Sequence, residues 1–350
     1  MSRPAKFRSV QVLRFVAAAL VVALHAIGLG YGAKPFEPMP YLGIFGAGVD
    51  LFFVISGFII AQVAFLSGPR AAGPFLIDRW LRVAPLYFLS SVVLIAFFWR
   101  VIPAQSYISS FLFWPASAHG NVWPINLVGW TLCFEMMFYV ATAFLLLPGP
   151  RAPKFLFLGV AYFVALGARY GLHLSWFDFL GNAIVIEFLM GVGVAFVWRR
   201  TSARATAAAL AFGVLLIALV GFVGGGFIAD GTKTFIAAIS PLRVVMIGLP
   251  AAAIVLGAVR LESLFQGQRW AFAVYGGDAS YSLYLVHPLV FTLVGNMGWP
   301  AAPLVTASGA FMAAMIVGIG VHQFVERPFQ RWARDMRRSG HARTLAQAKI

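Results

Sequence analysis

Six ionisable side chains stand inside otherwise apolar stretches of this sequence: Arg14, His25, Asp50, Glu135, Glu187 and His287. A titratable group within a membrane span is costly, so each marks a candidate site. Histidine, with an ordinary pKa near 6.5, is suited to take a proton at neutral pH. Carboxylates can orient such an imidazole and stabilise its charged form, as the acid does in a serine-protease triad. Arg14 and His25 are eleven positions apart, and eleven steps of about 100° return to within about 20° of the starting direction. Both therefore face one side of a first helix, separated along its axis by about 16 Å. A second pattern is Arg79-Trp80-Leu81-Arg82, whose two arginines share a helical face. Two guanidinium forks at that spacing suit phosphate oxygens, and Trp80 offers a ring beside them.

Each of these residues also has a structural reading. His287 can bond a neighbouring helix, and Glu187 can pair with Arg169 or Arg243. Asp50 can cap a second span that starts later. Arg79 and Arg82 can anchor the chain to lipid headgroups. Cys133, the one cysteine, reads as a small apolar packer. It leaves no intrachain disulfide and no cysteine metal site, and no metal is expected.

The elements that must position these groups follow from composition. Of 350 residues, 61% are hydrophobic and 11% charged, against roughly 25% charged in an average soluble protein. Mean hydropathy is +0.88. This excludes a soluble globule, a disordered chain and a fibrous repeat. The expected fold is an all-α polytopic membrane protein with about ten transmembrane helices and both termini cytoplasmic. Windows of about 20 apolar residues fall near 9–31, 43–65, 81–102, 128–148, 154–172, 181–198, 206–228, 239–258, 279–297 and 301–324. The span at 239–258 is the weakest, because Pro241 and Pro250 interrupt it. The stretch 103–127, with Pro103, Pro115 and Pro124, reads as an interfacial or re-entrant loop outside the membrane. The apolar run from Val10 to Tyr31 is too long for a cleavable signal and reads as a retained first helix.

Orientation comes from the basic residues. On this topology 21 of the 26 Lys and Arg fall on one side, which places both termini in the cytoplasm. The net charge of +15 is thus spread in short clusters between apolar runs, which argues against a nucleic-acid partner. Residues 331–350 read as a basic cytoplasmic tail. His25, Asp50, Glu135 and Glu187 fall at similar depths in the outer half, with His287 near mid-span, predicting a polar cavity there.

Six segments in order carry a resemblance. They are Arg14-Phe15-Val16-Ala17-Ala18 leading to His25, Gly48-Val49-Asp50-Leu51-Phe52-Phe53-Val54-Ile55-Ser56-Gly57-Phe58, Arg79-Trp80-Leu81-Arg82 with Pro85, Trp130-Thr131-Leu132-Cys133-Phe134-Glu135 through Tyr139, Ser280-Tyr281-Ser282-Leu283-Tyr284-Leu285-Val286-His287, and Glu326-Arg327-Pro328. Together they resemble the membrane-bound acyltransferase-3 family over roughly residues 9–330, and most closely its exopolysaccharide-modifying branch. Cys133 departs from the Ser or similar small residue usual near that Glu.

The resemblance implies an integral-membrane acyltransferase domain over 1–330 in a bacterial cytoplasmic (inner) membrane. It implies transfer of an acyl group, acetyl first, from acyl-CoA to a hydroxyl of an extracytoplasmic glycan or lipid-linked saccharide, alongside polysaccharide-synthesis machinery. Arg14 and His25 match residues required for activity in the family, and Arg79 and Arg82 match its acyl-CoA pair. On this reading His25 is the general base, and Asp50 or Glu135 holds its other ring nitrogen. A secondary transporter or flippase for an anionic or glycan substrate would also need intramembrane Arg, His and acids. So would an acyltransferase acting on a small molecule.

Overall fold

The computed structural model describes residues 7–32, 43–98, 102–117, 120–172, 177–223, 240–298 and 302–347. Arg3, Lys6, Lys34, Arg100, Lys233 and Lys349 of the charge tally lie outside these residues. The described chain is helical, apart from a two-residue antiparallel pairing of Ala116–Ser117 (β1) with Gly120–Asn121 (β2). Its helices are α1 (Arg8–Gly30), α2 (Gly43–Ala61), α3 (Ala72–Phe98), α4 (Ala104–Leu112), α5 (Trp130–Leu145), α6 (Arg151–Gly171), α7 (Phe177–Leu180), α8 (Val185–Val197) and α9 (Ala203–Val223). They continue with α10 (Pro241–Arg260), α11 (Ala271–Asn296), α12 (Pro303–Val321) and α13 (Arg327–Gln347).

Among the described residues, nine helices are long and apolar enough to cross a membrane, and the chain is a multi-pass membrane protein. The expected span at 279–297 lies in α11, which at 26 residues is long enough but falls outside the nine. The reason is its inward face. Ser280, Tyr281, Ser282, Tyr284 and His287 are all buried, so polarity that would be costly toward lipid points into the bundle. Large apolar side chains face outward instead: Phe157 and Phe163 on α6, Phe212 and Leu215 on α9, Ile316 on α12.

Close helix contacts rest on small residues, which let backbones approach where lipid offers no hydrophobic drive. Gly57 of α2 lies against the Phe188 carbonyl of α8, and Gly191 of α8 against the Val54 carbonyl of α2; a Cβ at either would overlap it. Gln11 packs on Gly277, His25 on His287 and Leu29 on Gly295. These three contacts ascend together, so α1 and α11 run parallel.

Two expected boundaries move. α3 begins at Ala72 rather than near 81, so Arg79 and Arg82 lie about two and three turns inside a helix and not at its edge. Charges that read as an edge signal in the sequence face the interior instead. The stretch 103–127 is also more structured than a loop. Its α4 buries Ser106, Ser109 and Ser110, and Ser110 Oγ accepts from the Ile125 amide at 2.7 Å. Asn126 Nδ2 donates to Ser90 Oγ and to the Leu285 carbonyl, each at 3.0 Å, tying the segment to α3 and α11. Pro241 and Pro250 do not end α10, which runs to Arg260, with the π-turn Val244–Gly248 just before Pro250. Pro241 occupies its first turn, where the missing N–H costs nothing, and Ser240 caps it by accepting from the Arg243 amide.

Candidate active site

The parallel contact of α1 and α11 brings two imidazoles together. His25 Nδ1 lies 2.9 Å from the Val21 carbonyl and 3.2 Å from His287 Nε2, with ring centroids 5.0 Å apart. His287 Nδ1 in turn lies 3.2 Å from the Leu283 carbonyl. A carbonyl oxygen only accepts, so in the neutral pair each Nδ1 carries the proton. His287 Nε2 then presents a lone pair to the His25 Nδ1–H, and His25 keeps its own lone pair on Nε2. Pro288 follows directly and has no N–H to offer the Tyr284 carbonyl one turn back, which loosens the helix at this ring.

One turn toward the N-terminus of α11, Tyr284 separates the imidazoles from a cavity. Its ring lies 5.9 Å from that of His287 and 5.8 Å from that of Phe52, and its hydroxyl is 2.9 Å from Thr131 Oγ1. The cavity, of about 120 Å³, is lined by Arg14, Ser56, Arg79, Arg82, Glu135 and Tyr139 among others. Glu135 accepts from Ser56 Oγ at 3.3 Å and from the Tyr139 hydroxyl. Three guanidinium groups against one carboxylate suit an anionic guest. Arg79 Nε is buried, with no hydrogen-bond partner among the described residues. Arg82 Nη1 donates to Glu326 at 3.0 Å.

A second buried charge cluster lies apart from this cavity. Arg243 of α10 grips Asp50 with two bonds, Nη2 to Oδ2 at 2.6 Å and Nε to Oδ1 at 3.1 Å. Its Nη2 also reaches the Gly46 carbonyl at 3.2 Å. Glu187, fully buried, packs beside the pair and against Gly248, which ends the π-turn Val244–Gly248 of α10. Asp50 and Ser56 are six residues apart, about 120° around the helix, so α2 presents them to different neighbours.

The predicted site residues thus divide. Arg14, Arg79, Arg82 and Glu135 share the cavity; His25 stands across Tyr284 from it; Asp50 belongs to the Arg243 cluster. The expectation that Asp50 or Glu135 contacts the His25 ring is not met, because helical phase turns Asp50 toward α8 and α10 and Glu135 toward Ser56 and Tyr139. His287 is the ring's partner. The outer-half cavity expected around His25, Asp50, Glu135 and Glu187 is replaced by one with three arginines. Trp80 points out of it, 42% exposed and packed edge-on to Phe88. Arg169 pairs with Asp178 rather than Glu187. Cys133 is fully buried, as a packing residue would be. Sequence reasoning gave no role to Tyr284 or Glu326, although both lie in quoted segments.

The profile of an acyltransferase domain, acyltransferase family 3, matches residues 7–322. The chain belongs to the acyltransferase-3 family. It is also 31% identical over 312 residues to "Exopolysaccharide production protein ExoZ" of Rhizobium meliloti (strain 1021), covering 83% of this chain and 91% of that protein. No solved structure matches it. The family match spans both the arginine cavity and the imidazole pair, while Glu326 lies just beyond its end.

Proposed function

We propose that this acyltransferase moves an acyl group, acetyl first, from acyl-CoA to a hydroxyl of an exopolysaccharide or its precursor. One observation carries the reading: three arginines line a cavity on one side of Tyr284, and a paired imidazole stands on the other. Phosphates of the donor would meet Arg79 and Arg82, whose forks bind such oxygens bidentately. The cavity is too small for the whole donor, so its phosphates would sit among the arginines and the rest of the nucleotide would stay at the mouth. The pantetheine arm would carry the thioester past Tyr284 to His25. The relative named for exopolysaccharide production supports the acceptor class.

In the reaction, His25 Nε2 takes the acceptor hydroxyl proton as the oxygen attacks the thioester carbonyl carbon. A C–O bond forms, the C–S bond breaks, and the imidazolium proton passes to the departing thiolate. His287 Nε2 accepts from the His25 Nδ1–H throughout, and gains strength as His25 becomes charged. Arg14, about 16 Å along α1 from His25, marks the donor side of the path. We place both termini in the cytoplasm and count α11 as a tenth span. The donor then enters from the cytoplasm and the acceptor from the opposite face, in a bacterial inner membrane.

Purified protein supplied with acetyl-CoA and an exopolysaccharide oligosaccharide tests this. Free coenzyme A should appear only when the acceptor is present, with an acetyl ester on the oligosaccharide by mass spectrometry. No transfer, together with passage of the saccharide across reconstituted vesicles, would instead identify a transporter.

A further inference from the structure

The Glu326 carboxylate stands outside the cavity but directly behind one of its arginines. It lies in a π-turn, His322–Glu326, that joins α12 to α13, and it is 3% exposed. Four donors converge on it. Oε1 accepts from Arg82 Nη1 at 3.0 Å and from Gln330 Nε2 at 2.7 Å. Oε2 accepts from Ser282 Oγ at 2.6 Å and from His322 Nδ1 at 2.8 Å. A carboxylate offers about four lone-pair positions, so this one is fully engaged. Its position is fixed by three helices at once: α3 through Arg82, α11 through Ser282, and the α12–α13 junction itself.

Arg82 borders two spaces. One is the arginine cavity; the other is a groove between α3 and the α12–α13 junction, lined by Leu81, Leu86, Leu89, Val325 and Phe329 and by Glu326 itself. Arg14 and Arg79 share the cavity, and like charges there repel. The Tyr281 ring, 5.8 Å from the Arg82 guanidinium carbon, supplies a face but no charge. Glu326 adds to the Glu135 carboxylate in offsetting the crowding and holds Arg82 by one of its five N–H bonds, leaving the rest of the fork for a guest.

We infer that Glu326 is the positioning residue of the donor site: it fixes Arg82 by one N–H from the groove side, leaves the rest of the fork to the cavity, and so sets affinity for a phosphate-bearing acyl donor. The inference rests on the donor reading of Arg79 and Arg82 given above.

The test is a double-mutant cycle on purified full-length protein, with coenzyme A as the probe. Glu326→Gln should weaken coenzyme A binding about 10-fold, in the range of a charge-assisted contact, and raise the KM for acetyl-CoA equally. Its kcat and acceptor KM should stay within about threefold of wild type. Glu326→Asp, which keeps the charge, should recover most of the affinity and serves if the Gln variant folds poorly. In an Arg82→Ala background, Glu326→Gln should have no further effect, since the two act through one contact. Additive losses would make Glu326 a general structural residue and overturn the inference. So would unchanged binding in Glu326→Gln while Arg82→Ala binds weakly. Unchanged binding in Arg82→Ala itself would instead remove the donor site on which the inference rests.

Discussion

Replacing His287 probes the imidazole pair most finely. In the resting protein His287 Nε2 accepts the His25 Nδ1–H at 3.2 Å, a proton that His25 also directs to the Val21 carbonyl at 2.9 Å. Between neutral rings that bond is worth about 0.5–1.5 kcal/mol, and once His25 carries a full charge about 1.5–3 kcal/mol. Removing His287 therefore withdraws up to about 3 kcal/mol from the charged state, which bounds the loss in kcat at about 150-fold. The Val21 carbonyl retains part of the orientation, so about 10-fold is the lower figure. His287→Gln can place an amide oxygen near the lost lone pair and should stay within about fivefold of wild type. The assay is acetyl transfer from acetyl-CoA by purified variants, with kcat and KM separated and thermal stability followed alongside. His287→Ala should lower kcat and leave the acetyl-CoA KM unchanged. A kcat equal to wild type in a folded His287→Ala protein would refute the pairing argument, as would equal losses in the Ala and Gln variants.

Arg79→Ala and Arg82→Ala should each weaken coenzyme A binding by about 10- to 150-fold, with Lys recovering only part, because an ammonium lacks the planar fork; full recovery by Lys would favour a lipid anchor. Asp50→Asn strands the Arg243 guanidinium and should destabilise the protein by about 3–5 kcal/mol, whereas Asp50→Leu with Arg243→Met should restore stability; thermal melting in detergent decides, and activity in the double variant would remove Asp50 from the chemistry. Gly191→Val should separate α2 from α8, where even a Cβ overlaps the Val54 carbonyl, and lower the yield of folded protein in size-exclusion profiles. A cysteine at Gln105, exposed at the start of α4, in a Cys133→Ala background should react with an impermeant reagent from outside intact cells; reaction only after permeabilisation would reverse the orientation.

Much of the fold was legible because apolar runs near 20 residues leave little choice of structure. The helix-one pair was legible too: a helical repeat alone put Arg14 and His25 on one face, and both turn toward α11. Tertiary partners were not. Asp50 and Ser56 sit in one apolar segment, and only the contacts of α2 with α8 and α10 show that they serve different clusters. Arg79 and Arg82 read as an edge because charge normally ends a span; Glu326, far along the chain, lets Arg82 lie inside one. α11 falls outside the nine most apolar long helices of the described residues for the related reason that its polar residues face inward, among them the His287 that meets His25.

His25→Gln bears most directly on the central claim, measured in purified protein as acetyl transfer to oligosaccharide beside coenzyme A binding. The amide keeps hydrogen bonding and loses basicity, so transfer should fall by about 10²–10⁴-fold while coenzyme A binds as to wild type. Transfer near the wild-type rate in that variant would contradict the assignment of His25 as the base.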